Sequence, residues 1–60
     1  MVYYYYDSAS KKCFFVEVYS QSAAQFAENV SRMIGRKLSA SEILTAQSLS
    51  DIERYRPAHI

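Results

Sequence analysis

The side chains able to do covalent or acid–base chemistry are few in this sequence and poorly placed for it. Cys13 is the single cysteine and His59 the single histidine. A thiol becomes a nucleophile when a base or an electropositive surrounding holds it as thiolate, and the only imidazole lies at the far end of the chain. Ser8, Ser10, Ser22, Ser39 and Ser50 stand where turns and helix starts use hydroxyls to cap backbone N–H groups. No Ser, His and acid form a nucleophile set. The carboxylates of Asp7, Glu17, Glu28, Glu42, Asp51 and Glu53 are scattered, with no pair suited to acid–base work. One glycine cannot build a phosphate-cradling loop. One Cys and one His do not make a protein-only metal site. The expectation is a protein that is not an enzyme and uses neither metal nor cofactor.

Two residue types suited to contact remain. The seven cations fall into three groups: Lys11 with Lys12, Arg32 with Arg36 and Lys37, and Arg54 with Arg56. Brought together they would form a cationic patch, with Arg32, Arg36 and Lys37 as the candidate phosphate-binding set. The net charge is only +1, so the sequence favours reading them as solvated charges and ranks nucleic acid below protein as a partner. Six of the 60 residues are tyrosine, four of them consecutive at Tyr3–Tyr6.

These side chains need elements to position them. The β-formers concentrate in the first 19 residues, interrupted by the polar stretch Asp7–Lys12. This pattern predicts an antiparallel hairpin, with strands near 2–7 and 12–19 and a loop of about four residues. Alternation puts Phe14, Val16 and Val18 on one face of the second strand and Cys13, Phe15, Glu17 and Tyr19 on the other. A four-residue loop pairs Tyr5 with Phe14 and Tyr3 with Val16, which turns Tyr3 and Tyr5 inward. The outer face then carries Tyr4, Tyr6, Phe15 and Tyr19, the candidate partner-binding residues.

The period then changes. Ser22-Ala23-Ala24-Gln25 reads as a capping box, and Ala23, Phe26, Ala27, Val30, Met33 and Ile34 recur at helical spacing. Gly35 supplies a left-handed cap, with Arg32, Arg36 and Lys37 complementing the helix dipole. A helix over about 22–34 follows. A second box, Ser39-Ala40-Ser41-Glu42, precedes Ile43, Ala46, Leu49 and Ile52, which predicts a helix over about 40–54. Its stripe repeats every three residues and drifts around an ideal helix; Ser48-Leu49-Ser50-Asp51 could restart a turn, so two short helices or a third strand are alternatives. Residues 56–60 read as a flexible tail.

The fold class expected is α+β, a single small domain over 1–60 with the hairpin packed against two helices. Half of the residues are hydrophobic and the net charge is near zero, which excludes a disordered chain. No apolar run reaches the ~20 residues of a spanning helix, and Met1–Tyr6 has no secretory character. A lone cysteine suits a reducing, cytoplasmic setting. Two helices cover one face of a two-stranded ribbon and leave the aromatic face over. That face predicts either a homodimer, in which the sheet is extended, or a protein partner that docks on it.

From Cys13 onward, strand, helix, Gly-centred turn and second helix follow in the order of ribbon–helix–helix repressors. The segment Gly35-Arg36-Lys37-Leu38-Ser39-Ala40-Ser41-Glu42-Ile43 resembles the turn and second-helix start of that family. The resemblance implies a small nucleic-acid-binding regulator whose backbone before Glu42 contacts phosphate. The chain departs from the family in its extra N-terminal strand. It also departs in the exposed strand face, where Cys13, Phe15, Glu17 and Tyr19 replace polar base-reading side chains. The leading expectation is therefore a non-catalytic adaptor or inhibitor acting by protein–protein contact, with the nucleic-acid regulator as the alternative.

Overall fold

A computed structural model describes all 60 residues, Met1–Ile60. Strand β1 (Val2–Asp7) and strand β2 (Lys12–Glu17) form the hairpin. Their register pairs Tyr3 with Val16, Tyr5 with Phe14 and Asp7 with Lys12, as the four-residue loop requires. Lys11 closes that loop in the left-handed region, φ 59°. The second strand ends at Glu17 rather than near 19. Val18 N–H still donates to the Met1 carbonyl at 3.3 Å, but Ser20 N–H donates to the Glu17 carbonyl and turns the chain away, so strand alternation does not carry Tyr19.

Helix α1 (Ala23–Ile34) follows. Ser22 caps it, its side chain accepting from the Gln25 N–H at 3.2 Å. Gly35 ends it at φ 75°, a conformation in which a Cβ is strained, and its N–H donates to the Ser31 carbonyl. The Ser31 hydroxyl donates to the Ala27 carbonyl and accepts from Leu38 N–H at 2.8 Å. That second bond folds the chain after Gly35 back, and Leu38 is buried against α1 and the sheet.

The second half departs from the expected helix over 40–54. It divides into a 3₁₀ turn (Ala40–Glu42), strand β3 (Leu44–Ala46) and a 3₁₀ helix (Leu49–Tyr55). The Glu42 carboxylate accepts the Ser39 N–H at 2.9 Å, but the turn stops at once and β-branched Ile43 leaves it in an extended conformation. Strand β3 then pairs antiparallel with Val2–Tyr4 of β1. The Ser48 box opens the 3₁₀ helix, with Asp51 accepting the Ser48 N–H. The repeat of three that drifts around an α-helix fits a 3₁₀ helix, where i and i+3 align. Ile52 and Tyr55 accordingly meet the same face of the sheet. The expected tail is also corrected: Ala58–His59 forms strand β4, parallel to β2, and Ile60 N–H donates to the Phe15 carbonyl. The sheet order is β3-β1-β2-β4, so the hairpin is the centre of a four-stranded sheet.

Both faces of that sheet are covered. On one, Phe14 and Val16 pack with Phe26, Ala27 and Val30 of α1, flanked by half-buried Tyr3 and Tyr5. On the other, Val2 and Phe15 pack with Ile52 of the 3₁₀ helix, flanked by Tyr4, Ala46 and Tyr55. The face expected to be left over is thus filled by the chain itself, and burying Phe15 needs no second copy. Phe26, Ile52, Val16 and Val30 are fully buried, each contributing about 1.5–3 kcal/mol. No helix is long and apolar enough to cross a membrane.

Ile52→Ala is expected to destabilise the protein by about 2–4 kcal/mol. Leu49→Ala, one turn earlier on a more exposed side chain, should lose less than half as much. Thermal melts of the two variants followed by circular dichroism check the difference.

Candidate functional site

The candidate contact residues do not share one surface. Phe15 is buried, with Ile52 packed against it and the His59 ring edge-on at 4.9 Å. Tyr4 is half-buried beside it. Tyr6 remains open to solvent and packs on Tyr55, ring centroids 5.0 Å apart and tilted by 32°. Tyr19 is 86% exposed in the turn after β2, at the opposite end of the sheet from Tyr6. The structure therefore keeps Tyr4 and Tyr6 on one face, rests Tyr4 on the Phe15 cluster and Tyr6 on Tyr55, and separates Tyr19 from them.

Sequence reading placed Arg54 only among the cations, apart from the tyrosines, and missed Tyr55 altogether. The 3₁₀ helix starts beside Ala46, level with Val2, and delivers Tyr55 to the level of Tyr6. The Arg54 guanidinium lies over the Tyr55 ring at 4.9 Å and donates to its hydroxyl at 3.0 Å. Each ring or guanidinium thus holds the next. Stacked arrangements of this kind each contribute about 0.5–1.5 kcal/mol and hold the side chains in place. The signal available in the sequence was the spacing of three from Ile52 to Tyr55, which puts Tyr55 on the sheet-facing side of a 3₁₀ helix.

The cations converge. The hairpin tip carries Lys11 and Lys12. Helix α1 climbs from the opposite end, so its C-terminal Arg32, Arg36 and Lys37 arrive near that tip. Arg36 donates to the Tyr5 hydroxyl, lies 5.8 Å from the Tyr5 ring centroid, and pairs with Glu42 at 3.8 Å. Arg32 donates to the Asn29 side chain. Arg54 and Arg56 end the climb of the 3₁₀ helix at the same level. Of the three residues expected to hold phosphate, Arg32 and Arg36 are therefore engaged within the protein, and Lys37 is exposed.

Asp7 sits at this end as well, buried under the hairpin turn. The Ser10 hydroxyl donates to it at 2.6 Å and holds its carboxyl below the ordinary carboxylate value, against the opposing effect of burial. The Ser10 and Ala9 N–H groups and the charge of Arg36 act in the same direction as the Ser10 hydroxyl. Cys13 is buried, and desolvation pushes its thiol above the ordinary value. That shift is opposite to the one an activated nucleophile needs.

No cavity indents the surface, and no three His, Cys, Asp or Glu side chains gather as a metal site. Comparison with known protein families, with curated proteins and with solved structures yields no match.

Two outcomes follow. Ser10→Ala should raise the Asp7 pKa toward its unfolded value near 3.9, read by NMR titration of the carboxyl carbon. A lowered folded pKa contributes stability that is present above the unfolded value and lost as pH falls through the folded one. The stability gap between wild type and Ser10→Ala should therefore be widest above about pH 4 and close on acidification. Cys13 should react with a thiol reagent far more slowly in the native protein than in denaturant, because attack waits for opening of the sheet.

Proposed function

We propose that the chain is a small non-catalytic binding protein, an adaptor or inhibitor that acts by protein–protein contact. The observation that carries the reading is the stack of Tyr6, Tyr55 and Arg54, continued by half-buried Tyr4. Tyr and Arg are the side chains that dominate interface energetics. Held against one another before a partner arrives, they lose little rotamer freedom on binding. Phe15 and Ile52 lie beneath Tyr4 and Tyr55 as a fixed floor, so the contact is anchored on the core rather than on a loop.

Self-association has a separate route in this proposal. Strand β3 covers only Val2–Tyr4 of β1, and its own outer edge shows Leu44, 52% exposed, in a stretch from Ile43 to Gln47 without a charge. Such an edge accepts a second strand readily, so a homodimer would form there and leave the tyrosine stack free. The single buried thiol suits a reducing cytoplasm.

The test is retention of protein from a lysate on the immobilised chain. Tyr6→Ser combined with Arg54→Ala should reduce specific retention by at least about tenfold, since truncating an interface anchor costs 2 kcal/mol or more. The melting profile should stay close to wild type. Tyr19→Ser, remote from the stack, should retain as wild type does. Equal retention by all three proteins would contradict the reading.

A further inference from the structure

We propose that the partner surface is acidic, and that an anionic protein segment docks across the hairpin-tip end of the molecule beside the Tyr6–Tyr55–Arg54 stack. This rests on the reading just given and specifies the chemistry of the partner.

The topology produces a charge separation that the net charge of +1 conceals. Strand β1, helix α1 and the 3₁₀ helix Leu49–Tyr55 all climb toward the hairpin tip. The chain places its cations at the upper ends of these elements. All seven lie in that half: Lys11 and Lys12 on the tip, Arg32, Arg36 and Lys37 at the end of α1, Arg54 and Arg56 at the end of the 3₁₀ helix. Three carboxylates, Asp7, Glu42 and Glu53, belong with them at most. Seven cations against three anions leave that half with a surplus of four positive charges. Glu17, Glu28 and Asp51 make up the balance that restores the total of +1; none forms an ion pair, although Glu28 lies one α-helical turn before Arg32 and Asp51 one 3₁₀ turn before Arg54.

Two of the three local acids are engaged within the protein, and the exposed Glu53 offsets a single cation. Asp7 is buried and directed to Ser10, and Glu42 is engaged by Arg36 and the Ser39 N–H. Lys11, Lys12, Lys37 and Arg56 are exposed, and no carboxylate pairs with them. A pole of this strength attracts and orients an anionic partner before contact, and the aromatic stack then supplies the short-range term.

Protein is favoured over nucleic acid by the state of the rings. Single-stranded nucleic acid binds on free aromatic faces that stack with bases. Here Arg36 lies over Tyr5 and Arg54 over Tyr55, while Tyr6 packs against Tyr55. These rings offer edges and hydroxyl groups, which suit hydrogen bonds to carboxylates and backbone carbonyls.

The experiment uses the full chain with two fluorescent probes, a polyglutamate of about 20 residues and a 20-nucleotide oligothymidine, at low and at moderate salt. Fluorescence anisotropy should show polyglutamate binding that weakens at least tenfold as salt rises, because the attraction is screened. Lys12→Glu with Arg54→Glu should weaken it at least tenfold, and Tyr6→Ser about fivefold or more. Glu17→Lys, at the opposite end, should leave it within twofold. Circular dichroism confirms that each variant is folded. Oligothymidine bound as tightly as polyglutamate would overturn the assignment in favour of nucleic acid. Binding insensitive to Tyr6→Ser would reduce it to unspecific attraction and also overturn it. Absence of polyglutamate binding, together with retention from lysate that depends on Tyr6, would remove the acidic partner and leave the protein-contact reading standing.

Discussion

The structure depends on one constraint: a central hairpin with two apolar faces, both of which must be taken out of water. Phe14 and Val16 point one way, Cys13 and Phe15 the other, and all four are buried. A single amphipathic helix satisfies the first face. The second is satisfied by seven residues in 3₁₀ conformation, whose one fully buried side chain, Ile52, sits against Val2 and Phe15. A chain of this length can hide only a modest share of its surface. Each face is therefore closed by very few side chains, and each of those few matters.

The ridge of Tyr4, Tyr6 and Tyr55 follows from how the second face is closed. Seven residues at about 2 Å per residue run from the level of Val2 to that of Tyr6, so Ile52 covers the middle of the sheet and Tyr55 lands on Tyr6. The aromatic ridge is thus a continuation of the core at its edge. The same climb carries Arg54 and Arg56 to the end where α1 has already delivered Arg36 and Lys37. Charge separation is in this sense a by-product of the three elements running in one direction over the sheet. It gives a nearly neutral protein one strongly cationic end.

Much of this was legible from the residues. The hairpin register was set by a four-residue loop and by alternation, and the bounds of α1 by Ser22 and Gly35, because these signals are local. The second half was not legible as an α-helix because its signals conflict. Both serine boxes start helical turns, yet Ile43 and Thr45 favour extended backbone, and the apolar repeat of three does not sustain an α-helical stripe. The departure of that stripe from ideal α-helical period was the trace of the 3₁₀ helix. Once it is read so, Tyr55 joins the site. Strand β4 has no comparable trace: two residues after a proline are recruited by the open edge of β2, a tertiary effect. The convergence of the cations likewise depends on strand and helix directions, which composition alone does not carry. The ribbon–helix–helix resemblance used the cap at Gly35 and the box at Ser39. Both are present, but β3 follows where that family has its second helix.

The central claim is that the segment after Ser48 closes the second face of the sheet by placing Ile52 on Phe15. Nuclear Overhauser contacts from the Ile52 methyl groups test it most directly. The account predicts strong contacts to the Phe15 ring and the Val2 methyls, with Tyr55 contacts to Tyr6 and strand shifts at Leu44–Ala46. Continuous α-helical shifts over 40–54, with Ile52 showing no contact to Phe15, would contradict it.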